Sequence, residues 1–206
     1  MVTDSFKFIR FLVREGALRF GDFTLKSGDR SPFFIDLGSI RTGRALSELG
    51  VFLADALDRS FREANVLFGP AYKGISLATA AAVTAATRTG RDLALTFDRK
   101  ESKDHGEGGM FIGYKPVAGD RIVIVDDVMS SGGTKVASMD AIERAFGVRP
   151  IGTLVTVDRA RRDAGIDRKA LGIVSLAGLP ELHAFLKADG HPLADQVMSF
   201  YLGGKL

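Results

Sequence analysis

The sequence contains no cysteine, so disulfides, thiolate nucleophiles and cysteine-bound metals are excluded, and the redox compartment is left open. Blocks of like charge are absent too. The 28 basic and 25 acidic residues leave a net charge of only +3. The densest basic cluster, Arg159, Arg161 and Arg162, is flanked by Asp158 and Asp163. That is the pattern of a solvated loop or a local anion site rather than a nucleic-acid stripe, so no nucleic-acid partner is expected. The most apolar window, ISLATAAAVTAA, falls short of the roughly 18 residues a membrane helix needs. The opening MVTDSFKFIRFLVREG breaks its apolar pattern with Asp4, Arg10 and Arg14, unlike a signal peptide. A cytoplasmic protein with no membrane partner is expected. Two phosphate-binding motifs are missing: G-x-x-x-x-G-K-S/T and G-x-G-x-x-G. His105, His183 and His191 do not cluster, so no tight histidine metal site is expected.

What is present is a globular chain of 206 residues with 46% apolar content, enough for a sizeable core in one domain over 1–206. Residues 4–15 place Phe6, Ile9, Leu12 and Val13 on one helical face, with Gly16 to end it. Residues 17–40 change character. Short β-like runs broken by Gly-Asp, Ser-Gly-Asp and Ser-Pro predict a small antiparallel lobe. Thr42 caps a helix with Leu46, Leu49, Leu53, Leu57 and Phe61 inward. Strands and helices then alternate. NVLFG, LALTF, RIVIV, PIGTLVTV and GIVSLAG read as strands, and 73–89, 133–146, 179–188 and 193–202 as helices. The helix 133–146 is expected to turn Val136, Met139, Ile142 and Phe146 inward, and 99–109 reads as a polar loop. Strands apolar on both faces and separated by helices imply an α/β fold, a central parallel sheet flanked by helices.

One stretch carries chemistry. RIVIVDDVMSSGGTK, residues 121–135, runs a buried-looking strand into Asp126 and Asp127, then into hydroxyls and glycines. Ligands of open parallel sheets bind beyond the carboxyl ends of strands. Gly132 and Gly133 let backbone N–H groups approach an anion. Ser130, Ser131 and Thr134 add donors, and the following helix adds its positive end. The loop favours phosphate while the carboxylates repel it. A phosphorylated sugar satisfies both, its phosphate on the loop and its hydroxyls on the carboxylates. An Asp-Asp pair before a glycine turn also serves as a plain capping loop, so other segments must decide.

The run Val123–Thr134 resembles the phosphoribosyl pyrophosphate (PRPP) motif of type I phosphoribosyltransferases. FTLKSGDRSPFF (23–34), FGPAYKGI (68–75) and RKESKDHGEGG (99–109) are similar, in order and spacing, to the signatures of the orotate phosphoribosyltransferase family. The resemblance covers roughly residues 6–160. It implies the type I fold with a small N-terminal hood lobe, mainly 1–40, over a core of about 41–206. It also implies an enzyme, a transferase joining orotate to PRPP with Mg²⁺ and releasing orotidine 5′-monophosphate and pyrophosphate. That is the phosphoribosyl step of UMP biosynthesis. A homodimer is implied, with the lid 99–109 shared across the interface.

The resemblance further implies site roles. Lys103, His105, Asp126 and Asp127 are the expected catalytic residues, Lys103 as the main charge stabiliser and His105 for proton traffic. Lys26, Tyr72, Lys73, Arg99 and Lys100 join them around PRPP, Lys100 reaching in from the partner chain. Val128, Met129, Ser130, Ser131, Gly132, Gly133 and Thr134 complete the PRPP loop. Orotate is expected on Lys26, Phe34, Ile35 and Ser130, with Arg159 holding its carboxylate, since a guanidinium fork matches carboxylate geometry. Mg²⁺ is expected on PRPP oxygens and water, with no direct protein ligand. The 70–73 loop is expected to hold a non-proline cis peptide. Two alternatives stay in view: a sister enzyme using another base, and a PRPP-sensing regulator that binds nucleic acid. The first should lack the hood lysine together with RKESKDHGEGG. The second needs a basic face or an added DNA-binding segment, and neither is seen in this sequence.

Overall fold

The computed structural model describes residues 3–25, 28–103 and 109–204, with side chains for all of these except 101–103 and 109. The chain opens with helix α1 (Asp4–Arg14), capped by Thr3. Strands β1 (Leu18–Thr24) and β2 (Arg30–Ile35) pair as an antiparallel ribbon with a bulge between Phe20 and Phe23. A single 3₁₀ turn, Leu37–Ser39, leads to α2 (Gly43–Ser60). The Thr42 hydroxyl accepts from the Ala45 N–H, as the sequence predicts.

Next come β3 (Val66–Gly69), α3 (Lys73–Thr89), β4 (Ala94–Lys103), β5 (Gly109–Gly113) and β6 (Ile122–Met129). The chain continues through α4 (Gly133–Phe146), β7 (Gly152–Asp158), β8 (Ile173–Gly178), α5 (Leu179–Ala188) and α6 (Ala194–Tyr201). The main sheet runs β5-β4-β3-β6-β7-β8. All its neighbours are parallel except β5, which pairs antiparallel with β4. This is the expected helix-flanked parallel sheet.

Strand side chains alternate between two apolar layers. Val123 and Val125 of β6 pack into the larger cluster, with Leu53 and Leu57 of α2 and Ala78 and Ala81 of α3. Ile122 and Ile124 turn the other way, onto Met139 and Ile142 of α4. Burying each such side chain contributes about 1.5–3 kcal/mol, so the four apolar residues before Asp126 anchor β6 in both layers. The two-stranded ribbon is not isolated from this core. Phe33 of β2 meets Phe200 of α6 edge-on at 5.4 Å.

Three expectations need correction. In α1 the inward stripe is Phe8, Ile9, Phe11 and Leu12, and Val13 is 41% exposed. The two phenylalanines offer more area, and Val13 lies about 100° further round the helix than Leu12. In α4 it is Lys135, 3% exposed, that points inward with Met139 and Ile142, while Val136 is 39% exposed. An ion pair described below draws Lys135 inside. The segment 99–109 is not simply a loop. Arg99–Lys103 prolong β4, and Gly109–Gly113 return as β5. Phe111 anchors that return strand against Phe146 and Phe68, at centroid distances of 4.9 and 6.0 Å.

Candidate active site

The acidic pair lies inside β6 rather than after it. Asp126 pairs with Val155 of β7, and the ladder continues to Met129 and Asp158. The Thr156 hydroxyl donates to the Asp127 carbonyl at 2.5 Å. Asp126 and Asp127 therefore project from rigid backbone on opposite sides of the strand. One carboxylate oxygen of Asp126 accepts the Asp127 N–H at 2.8 Å, and the other accepts the Lys135 ammonium at 2.5 Å. Asp127 faces Lys73 at 3.1 Å.

The strand runs into the expected loop. Gly132 adopts φ +75° as the N-cap of α4, and no side chain caps that helix. The Lys135 N–H closes on the Gly132 carbonyl at 2.9 Å, and those of Gly133 and Thr134 are left facing a ligand, the arrangement that binds phosphate at helix starts. Ser130, Ser131, Gly133 and Thr134 are exposed around it, whereas Met129 is buried. Val128 is partly buried against the core. The side chains of Val128 and Met129 thus serve packing, and only their backbone is left for a ligand.

Across the cleft, the Ala71–Tyr72 peptide is cis, as the family resemblance implies. The Ala71 N–H donates to Asp98 of β4 at 2.5 Å, which ties this loop to the neighbouring strand. Gly69 and Gly74 allow the tight approach behind it. A Cβ on Gly74 would sit 2.5 Å from Cδ of Pro70 and 2.9 Å from the Val125 carbonyl. Lys73 starts α3 and bridges Asp127 to Asp36, the latter at 3.3 Å. Burial pulls the Lys73 pKa down, but the two carboxylates outweigh it and raise it above the ordinary lysine value. Asp36 is held below the usual carboxylate range, mainly by the Gly38 N–H and also by Lys73. Tyr72 is 72% exposed, and the Lys100 ammonium lies 5.3 Å from its ring centre. Arg99 is partly buried beside it on β4.

A second cleft, of about 600 Å³, opens between the ribbon and the end of β7. Its walls include Phe34, Ser130, Ser131, Arg159, Arg161 and Phe200. The Arg159 N–H donates to the Met129 carbonyl at 2.9 Å, fixing that residue beside the loop. Its side-chain Nε is buried and has no hydrogen-bond partner among the described residues. Burial lowers its pKa from the ordinary arginine value. A buried donor without an acceptor, on an arginine that lines a cleft, is a group that a bound anion would satisfy. Phe34 lines this cleft, but Ile35 points away into the core. Adjacent strand residues face opposite sides, so any Ile35 contact with a ligand runs through its backbone.

The structure thus brings Tyr72, Lys73, Asp126 and Asp127 together at the strand ends beside the 130–134 loop, and Phe34 and Arg159 to the cleft that Ser130 and Ser131 also line. Lys26, His105 and the side chain of Lys103 lie outside the described residues. Sequence reasoning missed Asp36, Asp98 and Lys135, each of which fixes a predicted site residue or its loop. Asp98 had a signal, since it directly follows the apolar run LALTF that reads as a strand. Asp36 had one as well, in an Asp-x-Gly turn. Lys135 had none, because it occupies an otherwise apolar helical stripe.

This acidic strand end and phosphate loop define a phosphoribosyltransferase, and the sequence profile of the phosphoribosyl transferase domain matches residues 38–179. Orotate phosphoribosyltransferase of Xanthomonas euvesicatoria is 47% identical over 182 residues, 87% of this chain and 82% of that one. The enzyme of Thioalkalivibrio sulfidiphilus is 42% identical over 198 residues, 92% of each chain. The chain belongs to the orotate phosphoribosyltransferase family. Among solved structures, orotate phosphoribosyltransferase of Francisella tularensis superposes with a TM-score of 0.79 at 28% identity, covering 95% of this chain and 96% of that one. UMP synthase of Leishmania donovani gives 0.75 at 26% identity, covering 97% of this chain and 42% of that one.

Proposed function

We propose that the two clefts divide the work of the family reaction, in which PRPP and orotate give orotidine 5′-monophosphate and pyrophosphate in pyrimidine biosynthesis. The bond from ribose C1′ to the pyrophosphate oxygen breaks with its electron pair leaving on pyrophosphate. The bond from C1′ to the orotate ring nitrogen forms. The 5′-phosphate sits on the 130–134 loop, where the α4 N–H groups and the hydroxyls of Ser130, Ser131 and Thr134 face it. Asp126 and Asp127 accept from the ribose hydroxyls and favour the positive charge that develops on the ribose. Tyr72, Lys73 and Arg99 line the pyrophosphate side. Lys103 and His105 close over it from the lid, Lys103 stabilising the leaving charge and His105 assisting proton movement. Fixed cations of this kind act most strongly where water is excluded.

Orotate enters the Arg159 cleft. Its ring lies on Phe34 and against the Ile35 backbone, with Lys26 and Ser130 at its edge, and its carboxylate meets Arg159. The observation that carries this reading is Arg159 on the wall of a cleft adjoining the phosphate loop, its buried Nε without a partner among the described residues.

Mg²⁺ prefers phosphate oxygens and keeps several waters, needing only one or two carboxylates nearby. Asp126 and Asp127 provide that number, and both already face lysines, so the metal fits as a passenger on PRPP touched through its waters. When bound, it offsets charge on the pyrophosphate. We further propose a hood of about residues 1–40 over a core of 41–206 and a cytoplasmic homodimer. Among the described residues no helix is long and apolar enough to cross a membrane. In the dimer the lid segment 99–109 serves the neighbouring site, Lys100 leaving the Tyr72 ring for the partner's pyrophosphate.

The test follows orotate absorbance in purified protein with PRPP and Mg²⁺, with adenine, hypoxanthine and uracil in parallel. PRPP-dependent loss of orotate is expected. Use of another base in its place would overturn the Arg159 and Phe34 assignments.

A further inference from the structure

We infer that Lys135 is a positioning residue for PRPP binding, acting through Asp126. This rests on the PRPP assignment above. Lys135 is the third residue of α4 and is 3% exposed. It shares its helical face with Met139 and Ile142, where an apolar side chain would pack without loss of hydration. Burying an ammonium is costly, and replacing a buried ion pair by apolar residues is often neutral or stabilising. Stability alone therefore gives no reason for a lysine here.

The geometry gives one. The Lys135 ammonium donates to Asp126 at 2.5 Å and to the Val128 carbonyl at 3.3 Å. The other Asp126 oxygen is held by the Asp127 N–H. Both oxygens are thus fixed from inside the protein, which leaves their outward lone pairs set for ribose hydroxyls. The same contacts brace the first turn of α4 against the end of β6, across the phosphate loop. Charge points the same way. A ligand carrying a phosphate and a pyrophosphate approaches two carboxylates. Lys73 faces one of them, and Lys135 faces the other from below. Without Lys135, Asp126 would be a part-buried, uncompensated anion beside an anionic ligand.

The effect should fall on PRPP and not on orotate. In Lys135→Met, the Kd of PRPP with Mg²⁺, measured by calorimetry, is expected to rise about tenfold or more. The KM for orotate should stay within about twofold, a split that general loosening of the fold does not produce. A folded Lys135→Met with wild-type PRPP affinity would overturn the inference. Should that variant fail to fold, Asp126→Asn and Asp126→Asn/Lys135→Met are compared. With Asp126 neutral, losing Lys135 should change the Kd of PRPP less than about twofold, because the pair acts as a unit. A further loss of about tenfold would show that Lys135 acts by another route. The chain has no cysteine, so Lys135→Cys, aminoethylated while unfolded and then refolded, restores an amine at this position alone. Recovery of PRPP affinity is expected, and refolded protein without recovery contradicts the role. Wild-type protein without orotate turnover would instead count against the reaction itself.

Discussion

Arginine 159 is where binding and stability should come apart. Replacing it with methionine keeps most of the stem and removes the guanidinium. In the free protein that group carries a buried Nε with no acceptor among the described residues. An unsatisfied buried donor costs about 1–3 kcal/mol, so its removal should leave stability unchanged or raise it by about 1 kcal/mol. For a chain of this size 1 kcal/mol moves Tm by roughly 2–4 °C. Orotate binding should respond in the opposite direction. Truncating one partner of a buried, hydrogen-bonded charge pair costs about 2–5 kcal/mol, or roughly 30- to 5,000-fold in kcat/KM. The assay is orotate absorbance at saturating PRPP, with calorimetric unfolding on the same sample. The KM for PRPP should stay within about threefold, since the phosphate loop is untouched. A Tm drop of more than about 5 °C with unchanged orotate kinetics would make Arg159 a packing residue and refute the reasoning.

Other substitutions probe the supports. Gly74→Ala forces a Cβ against Pro70 and the Val125 carbonyl, and urea unfolding should show about 1–3 kcal/mol of lost stability together with weaker PRPP binding. Asp98→Ala removes the acceptor of the Ala71 N–H. Leaving that donor unmet costs about 1–3 kcal/mol, which should appear as a raised KM for PRPP; unchanged kinetics would mean that the loop holds itself. Asp36 has a folded pKa below its ordinary value of 3.8. Its contribution to stability is therefore present above that value and lost as pH falls through the lowered one. The stability gap between wild type and Asp36→Asn should be constant near neutral pH and close in acid, and a gap that widens in acid would reverse the sign.

The fold was readable because its strands are apolar on both faces and alternate with helical patterns, one of them opening on the Thr42 cap. Thr42 and the run 73–89 fell where the sequence placed them. The phosphate loop was readable because its chemistry is contiguous in sequence. The supports were not, because they join distant segments: Asp98 to Ala71, Asp36 to Lys73, and Lys135 back to Asp126. Periodicity put Val136 inside because it scores side chains by hydropathy, and it cannot see a lysine drawn in by a carboxylate nine positions earlier in the chain. Strand β5 was hidden for a related reason. Its short GMFIG run follows a polar, glycine-rich stretch, and it joins the sheet by pairing with the prolonged end of β4, with Phe111 packed against Phe146 and Phe68.

The most direct test of the divided site is a crystal structure with orotate and PRPP–Mg²⁺ bound. The account predicts the orotate carboxylate on Arg159 against Phe34, the 5′-phosphate on the Ser130–Thr134 loop, and the ribose hydroxyls on Asp126 and Asp127. An orotate carboxylate held elsewhere, with Arg159 Nε still unpartnered, would contradict it.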